Sequence, residues 1–240
     1  MDFRPRLTLD EYNLIRQYRD RKSRVLIIGD LHLPFIKQGY LEFCIDMQTK
    51  YNPTEVLFTG DILDNHASSY HELDPDGYSA GDELLLAESI VKLWEASFPG
   101  AKICIGNHDS IPGRKAMTGG ISKKWLKTPA EVLGVDWEFN EEFTIDGVTY
   151  THGTGSKART RARNEMVSIC QGHYHSESYI EWYVGPDRKI FAMQVGCGID
   201  RRSYSMAYGR NFKKPHINVG IIINHPKYGL IPIIEYMPLT

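Results

Sequence analysis

Residues 25–32 have the sequence Val25-Leu26-Ile27-Ile28-Gly29-Asp30-Leu31-His32. The four apolar residues form a short bounded run, which is consistent with a β-strand. The glycine that follows them lets the backbone turn tightly. Residues two apart in an extended chain point the same way, so Asp30 and His32 can close on one metal or on neighbouring metals. This stretch therefore predicts a strand whose C-terminal end carries metal ligands.

The same pattern recurs four more times along the chain. Each time, a short apolar run breaks off through or next to a glycine into residues that bind metals. The four blocks are Gly60-Asp61-Ile62-Leu63-Asp64, Gly106-Asn107-His108-Asp109, His152-Gly153 and Gly172-His173-Tyr174-His175. Strands of an open α/β sheet deliver their C-terminal ends to a common crevice. The five blocks therefore predict one shared site. Its oxygen and imidazole ligands suit manganese, iron, zinc or nickel without choosing among them.

Helical patterns separate the strands in the first half of the chain. Thr8 and Glu11 form a capping box at the start of one of these helices. The predicted helices cover residues 8–24, 40–51, 81–98 and 123–133. A long loop is predicted over residues 65–81. From about Trp137 onward, β-rich segments joined by turns replace this pattern, which predicts an α/β fold with a β-rich C-terminal third.

The composition favours a single large domain over residues 1–240, since 240 residues with 42% apolar content can form one core. Residues 1–150 carry 16 Lys or Arg against 24 Asp or Glu, and residues 151–240 carry 12 against 6. The four cysteines are scattered and are expected to be reduced and buried. Neither a signal peptide nor a membrane-spanning run is apparent, so we predict a cytoplasmic protein without a membrane partner.

Taken in order, the five blocks resemble the motifs of the calcineurin-like metallophosphoesterases: Asp-x-His, Gly-Asp-x-x-Asp, Gly-Asn-His-Asp/Glu, a lone His, and Gly-His-x-His. The match runs from Asp30 to His175. The resemblance implies a four-layer α/β sandwich, in which helices flank two facing mixed β-sheets. The single predicted domain would then comprise an N-terminal helix (8–24), a motif-bearing region (25–175) and a β-hairpin region (176–240).

The resemblance also implies a site with two divalent metal ions, manganese being the first choice and iron, zinc or nickel the alternatives. The implied ligands are Asp30, His32 and His175 for one ion, Asn107, His152 and His173 for the other, and Asp61 as the bridge between them. A hydroxide that bridges the ions would be the nucleophile. His108 would stabilise the transition state or protonate the leaving oxygen, with Asp109 or Asp64 as the carboxylate that orients it.

Candidate substrate-binding residues lie outside these motifs. Arg159, Arg161 and Arg163 occupy alternate positions, and all three would share a face if their segment were extended. They could then bind the non-reacting part of a phosphodiester, although a solvated basic loop is the alternative. His66, in the loop after the second block, could also reach the substrate.

Two departures from related patterns narrow the function. Family members that dephosphorylate proteins carry arginines where this chain has Asn65 and Ile105, which argues against a Ser/Thr protein phosphatase. We predict a phosphodiesterase acting on nucleotides or nucleic acid. The alternatives are a DNA exo- or endonuclease of the repair-nuclease type, a phosphomonoesterase, and a non-catalytic interaction module. The sequence leaves the oligomeric state open.

Overall fold

Two mixed β-sheets face each other in the computed structural model, which describes residues 8–9, 23–70, 74–200, 202–203 and 214–238. The strands are β1 (Arg24–Ile28), β2 (Glu55–Phe58), β3 (Lys102–Cys104), β4 (Glu138–Asn140), β5 (Glu142–Ile145), β6 (Val148–Thr151), β7 (Ser168–Gln171), β8 (Tyr179–Val184), β9 (Lys189–Gln194), β10 (Asn218–His225) and β11 (Gly229–Tyr236). The first sheet has the order β11-β10-β1-β2-β3-β4 and the second the order β5-β6-β7-β9-β8.

Parallel strands form the part of each sheet that carries the motifs. In the first sheet, β1, β2, β3 and β4 run parallel to one another. Strand β10 lies next to β1 and runs antiparallel both to it and to the edge strand β11. In the second sheet, β6, β7 and β9 are parallel, with β5 and β8 antiparallel at the two edges. Because parallel strands end at the same edge of a sheet, the residues that follow β1, β2 and β3 are brought together.

The helices are α1 (Tyr40–Tyr51), α2 (Ala80–Ser97), α3 (Ile111–Thr118), α4 (Pro129–Leu133) and α5 (Ala158–Glu165), and two short 3-10 helices cover His66–Ser68 and Lys123–Trp125. The prediction of a single helix over 123–133 is wrong, because this segment contains a 3-10 helix followed by the separate helix α4. Thr128 precedes a proline, which disfavours helical backbone at that residue. Its side chain instead accepts a hydrogen bond from the Glu131 N–H and caps α4.

The helix predicted over 8–24 lies largely outside the described residues. Its predicted end is wrong, because Arg24 belongs to β1, where it pairs with Ile223 of β10. The long loop predicted over 65–81 contains a 3-10 helix, and α2 begins at Ala80 with the Ser79 hydroxyl as its cap. After Trp137, turns near residues 146, 186 and 227 each join two antiparallel strands, as expected of β-rich segments joined by turns.

Strand β1 is buried on both faces, which explains its unbroken apolar sequence. Val25 and Ile27 belong to the core between the two sheets, where they are clustered with residues such as Phe191 of β9. Leu26 and Ile28 belong to a second core beneath α1 and α2. Alternate residues of one strand therefore stabilise two layers of the molecule.

Helix α5 covers the outer face of the second sheet, with Ala158 and Ala162 packed against Ile169 and Ala192. The predicted sandwich of helix, sheet, sheet and helix is confirmed. All four cysteines are buried and free, as predicted. Among the described residues, helices are too short or too polar for any to traverse a lipid bilayer.

Candidate metal centre

The first cluster of donors follows β1 and β7. The Nε2 atom of His175 lies 3.1 Å from Oδ2 of Asp30 and 3.1 Å from Nε2 of His32. Asp30 and His32 are almost completely buried, whereas His175 is partly accessible. These three side chains offer donor atoms close enough together to hold one metal ion. They are the three ligands predicted for the first ion.

The second cluster lies at the ends of β2, β3, β6 and β7. The Nε2 atom of His152 is 2.8 Å from Oδ1 of Asn107, 3.1 Å from Nδ1 of His173 and 3.2 Å from Oδ2 of Asp61. Asp61, His152 and His173 again form a group with the spacing of metal ligands. The structure thus brings together the side chains predicted for the second ion.

Asp61 lies between the two clusters. Its Oδ2 atom is 3.7 Å from Nε2 of His32 in the first cluster and 3.2 Å from Nε2 of His152 in the second. Its other oxygen accepts a hydrogen bond of 2.7 Å from the backbone N–H of His108. A single carboxylate oxygen therefore faces histidines of both clusters, which is the arrangement expected of a bridging ligand.

Hydrogen bonds fix the ring nitrogens that the two clusters present. Nδ1 of His32 lies 2.6 Å from a carboxylate oxygen of Asp64, and Nδ1 of His152 lies 3.1 Å from the carbonyl oxygen of Thr59. Both oxygens are acceptors, so in the neutral ring each Nδ1 carries the proton and each Nε2 offers a lone pair to its cluster. Acceptors that bind the other ring nitrogen in this way orient metal-binding histidines in proteins. The donor set therefore fits divalent cations.

The electrostatics of the two clusters also favour a cation. Burial lowers the pKa of His152, but the carboxylates of Asp61 and Asp30 outweigh burial and raise it to about 10. Burial raises the pKa of Asp30, but His152 and His175 outweigh it and hold this pKa well below its usual value. Buried carboxylates thus create a strongly negative pocket, in which a bound cation would offset their charge.

Backbone conformation at the site is unusual. His32, Asp61 and His173 have φ angles of 51°, 45° and 70°, a region that residues other than glycine rarely adopt. Each such residue costs on the order of 1–3 kcal/mol. Close packing adds to the constraint, since a Cβ atom on Gly106 would lie 2.0 Å from Oδ1 of Asp61. The surrounding fold therefore holds these ligands in place at the expense of local stability.

A family model described as calcineurin-like phosphoesterase matches residues 23–195. This range includes all five motif blocks and most of both sheets. The chain belongs to the calcineurin-like phosphoesterase family. The resemblance found in the sequence is thereby confirmed. No curated protein gives a significant match to the sequence.

Several solved structures are similar to this calcineurin-like phosphoesterase. A metallophosphoesterase from Sphaerobacter thermophilus is 16% identical, with 90% of this chain and 89% of that chain covered and a TM-score of 0.44. Vacuolar Protein Sorting 29 from Cryptosporidium parvum is 14% identical, with 91% and 100% covered and a TM-score of 0.42. Nuclease MPE from Pseudomonas putida is 11% identical, with 91% and 89% covered and a TM-score of 0.35. Likenesses this weak do not identify a substrate.

His108 of this phosphoesterase is oriented by a backbone group. Its Nδ1 atom contacts the carbonyl oxygen of Asp64 at 2.5 Å, while the Asp64 carboxylate, 3.8 Å away, is hydrogen-bonded to His32. The carboxylate of Asp109 accepts hydrogen bonds from the backbone of Leu63 and Gly106. The expectation that either carboxylate would orient His108 by direct hydrogen bonding is therefore corrected.

The pKa values of these residues follow from their surroundings. Burial lowers the pKa of His108, but the nearby carboxylates of Asp61 and Asp64 outweigh burial, so the net shift is upward. Burial and the Asp61 carboxylate raise the pKa of Asp109 to about 6, although backbone N–H donors oppose this shift. Asp109 contacts the loops that carry Asp61 and Asn107, and it is suited to holding them together.

The three arginines predicted to share an extended face lie on helix α5 instead. Arg159 and Arg163, one helical turn apart, stack on the rings of Tyr179 and Tyr183. The helix forms because Ala158 and Ala162 recur at the spacing that buries them on the second sheet. The shared-face interpretation is therefore wrong.

Arg161 lies away from the other two arginines and forms ion pairs with Glu142 and Glu165. It lines a cavity that is also lined by His152 of the metal centre. His66 is buried near the Asp64 carboxylate, with 3.9 Å between Nδ1 and Oδ2, and its ring packs edge-on against Phe35. It does not lie on an open loop surface.

Thr59 is a site residue that the sequence analysis missed. Its hydroxyl donates a 2.7 Å hydrogen bond to Oδ1 of Asp30, and its carbonyl oxygen accepts the hydrogen bond from His152. One buried residue thus orients a ligand in each cluster. Its position between β2 and Gly60, at the start of the second block, was the available signal.

Proposed function

We propose that this calcineurin-like phosphoesterase hydrolyses phosphodiesters in nucleotides or nucleic acid, using two divalent metal ions. The observation that carries the proposal is the position of Asp61, whose Oδ2 atom lies between the histidines of two donor clusters. Manganese is the first-choice cation because the family resemblance implies it, with iron, zinc or nickel as alternatives, since the donors alone suit all four.

Each cluster would hold one ion. Asp30, His32 and His175 would bind the first ion, Asn107, His152 and His173 the second, and Asp61 would contact both. When bound, such a pair of ions polarises the phosphoryl oxygens and lowers the pKa of a water molecule, which becomes the nucleophile. Asp64 and Thr59 would keep His32 and His152 in the tautomers that coordinate through Nε2.

His108 would act on the leaving group. Its Nδ1 atom is occupied by the carbonyl oxygen of Asp64, so Nε2 is the nitrogen left to meet the substrate. The side chain retains 19% exposure, in contrast to the fully buried Asp30. From this position, His108 would donate a proton to the departing oxygen.

Two neighbouring cavities, whose linings share Ile105 and Glu141, adjoin the centre and support a diester rather than a monoester. One cavity of about 330 Å³ adjoins His152 and Arg161, and another of about 400 Å³ adjoins Asn65 and Asp109. A phosphodiester carries a substituent on both sides of the reacting phosphorus, whereas a monoester carries only one. Two cavities therefore suit the two substituents of a diester.

The test is hydrolysis of matched aryl substrates by protein that is first stripped with EDTA and then supplied with Mn²⁺. We expect no turnover after EDTA, recovery with Mn²⁺, and a higher kcat/KM for bis(p-nitrophenyl) phosphate than for p-nitrophenyl phosphate. Faster monoester turnover would contradict the diester assignment. An absence of turnover with Mn²⁺, Fe²⁺, Zn²⁺ and Ni²⁺ would instead support a non-catalytic role.

A further inference from the structure

A basic segment lies beside the metal centre in an otherwise acidic part of the chain. Residues 110–130, which we call the basic segment, contain five Lys or Arg and no Asp or Glu, whereas residues 1–150 as a whole carry 16 against 24. Its cations are Arg114, Lys115, Lys123, Lys124 and Lys127. Such a concentration of one sign of charge attracts anionic partners.

The five cations of the basic segment are exposed, although Arg114 and Lys115 lie over the ring of Tyr70 and Lys115 also donates a hydrogen bond to the carbonyl oxygen of Ser69. Every residue from 117 to 128 is exposed, and Trp125 is 83% accessible. Within the part of the chain that the structure describes, none of the five cations forms an ion pair with a carboxylate, and only Lys127 has a recorded electrostatic effect on one, at Glu131. This contrasts with Arg161 in helix α5, which is paired with two glutamates.

The basic segment forms one wall of the cavity that opens next to His108. Arg114, Lys123 and Lys127 line this cavity together with apolar residues such as Leu126. On its inner side lies Asn65, whose side-chain amide donates a 2.9 Å hydrogen bond to the carbonyl oxygen of His108. The exposed cations therefore line a cavity that reaches Asp109, the neighbour of the residue proposed to protonate the leaving group.

We propose that the basic segment and this cavity bind the leaving-group side of a single-stranded nucleic acid. The cations would contact backbone phosphates, and Trp125 offers an exposed ring on which an unpaired base would stack. A duplex hides the faces of its bases, so stacking on Trp125 favours a single strand. This inference rests on the proposed function, because the role of His108 decides that the leaving-group side of the substrate faces the basic segment. Nucleic-acid binding itself can be measured separately.

Binding is tested by fluorescence anisotropy with a labelled 12-nucleotide single strand, in EDTA so that no hydrolysis occurs. We expect Trp125→Ala to weaken binding about tenfold, within the range for base stacking on an aromatic ring. The double variant Lys123→Gln/Lys127→Gln should reduce the slope of log K against log salt by about 1.4, because each lost phosphate contact removes about 0.7.

Matched controls are Tyr228→Ala and Lys227→Gln, in the turn between β10 and β11. Tyr228 is 65% exposed with Lys227 over its ring, so this pair is also aromatic and cationic. The turn lies at the end of the first sheet opposite the metal ligands. Both controls should bind the single strand within about twofold of the unmodified protein, since neither removes a proposed contact.

Three results would overturn the inference. The first is that Trp125→Ala and the double lysine variant bind the single strand as tightly as the unmodified protein does. The second is that the protein binds a duplex as tightly as the single strand. The third is that it binds phosphatidylserine vesicles and does not bind the single strand. Kinetics separate this inference from the proposed function. With Mn²⁺, Trp125→Ala should lower kcat/KM for the oligonucleotide about tenfold, as expected from lost stacking, and leave bis(p-nitrophenyl) phosphate unaffected.

The two proposals can fail independently. If the protein binds the single strand through Trp125 but hydrolyses no ester, the proposed function fails and the nucleic-acid surface stands. If it hydrolyses the aryl diester and Trp125→Ala leaves oligonucleotide kcat/KM unchanged, the proposed function stands and this inference fails.

Discussion

The metal-ligand clusters and the basic segment lie next to each other but are built in opposite ways. In the clusters, Asp30 and Asp61 are buried, and each histidine contacts another donor within 3.2 Å. In the basic segment, the lysines and Trp125 are exposed, and the lysines form no ion pair with a carboxylate among the described residues. Fixed geometry suits small cations, and adaptable side chains suit a long and mobile polyanion.

This contrast predicts different consequences for substitutions in the two regions. Changes in the clusters should alter metal content and kcat for every substrate. Changes in the basic segment should alter affinity and salt dependence for a polymeric substrate, and should spare small ones.

The largest effect is expected for Asn107→Ala. Oδ1 of Asn107 lies 2.8 Å from Nε2 of His152, so the substitution removes a donor from the second cluster. We expect one metal ion to be lost together with nearly all turnover, as measured by elemental analysis and the aryl diester assay. Asn224→Ala, at the far end of β10, makes the same chemical change and should retain both metals. Full activity of Asn107→Ala would contradict the second cluster.

His108→Ala should retain both metals and lose mainly the leaving-group step. We expect turnover of unactivated diesters to fall about 10²- to 10⁴-fold, the usual contribution of a general acid. Nitrophenyl esters should be affected less, because their leaving group needs little protonation. Kinetics on a series of leaving groups with different pKa values measures this difference. Equal losses across the series would show that His108 does not protonate the leaving oxygen.

Asp64→Ala should weaken metal binding by about 10- to 100-fold, the usual cost of losing the hydrogen-bond acceptor that orients a metal-binding histidine. The Asp64 carboxylate accepts the hydrogen bond from Nδ1 of His32 at 2.6 Å, and without it the imidazole is free to rotate. Titration with Mn²⁺ measures the affinity, and Asp46→Ala in α1 is the exposed control. An unchanged affinity would mean that packing alone orients His32.

The smallest effect is expected for the stability of Trp125→Ala. Because Trp125 is 83% exposed, its removal should change the free energy of unfolding by no more than about 0.5 kcal/mol. Trp94→Ala removes a buried ring of α2 and should lower the free energy of unfolding by about 3–5 kcal/mol. Urea denaturation of both variants measures the difference. A large loss for Trp125→Ala would mean that this ring supports the fold.

The sequence predicted which donor side chains the structure brings together, because each of them lies within a few residues of the end of a strand. Parallel strands end at one edge, so the order of the blocks was enough to place Asp30, Asp61 and Asn107 together. Orientation could not be predicted in the same way. The partner of His108 is a backbone carbonyl, which has no sequence signature, and Thr59 acts through both its hydroxyl and its carbonyl oxygen.

Local conformation outside the strands was harder to predict. Alternate arginines at 159–163 suggested a common face, but the buried Ala158 and Ala162, four residues apart, favour a helix. The proline at position 129 divides a segment that otherwise has a helical pattern. In both places, one or two small residues determine the backbone conformation, whereas the charged residues around them do not determine it.

The most direct test of the two-metal centre is the stoichiometry and spin coupling of bound manganese. Protein freed of metal and then loaded with Mn²⁺ should bind two ions per chain, and its electron paramagnetic resonance spectrum should be that of a coupled pair. Asp61 places one carboxylate oxygen near histidines of both clusters, which is why we expect coupling. One bound ion, or two ions with uncoupled spectra, would contradict the account.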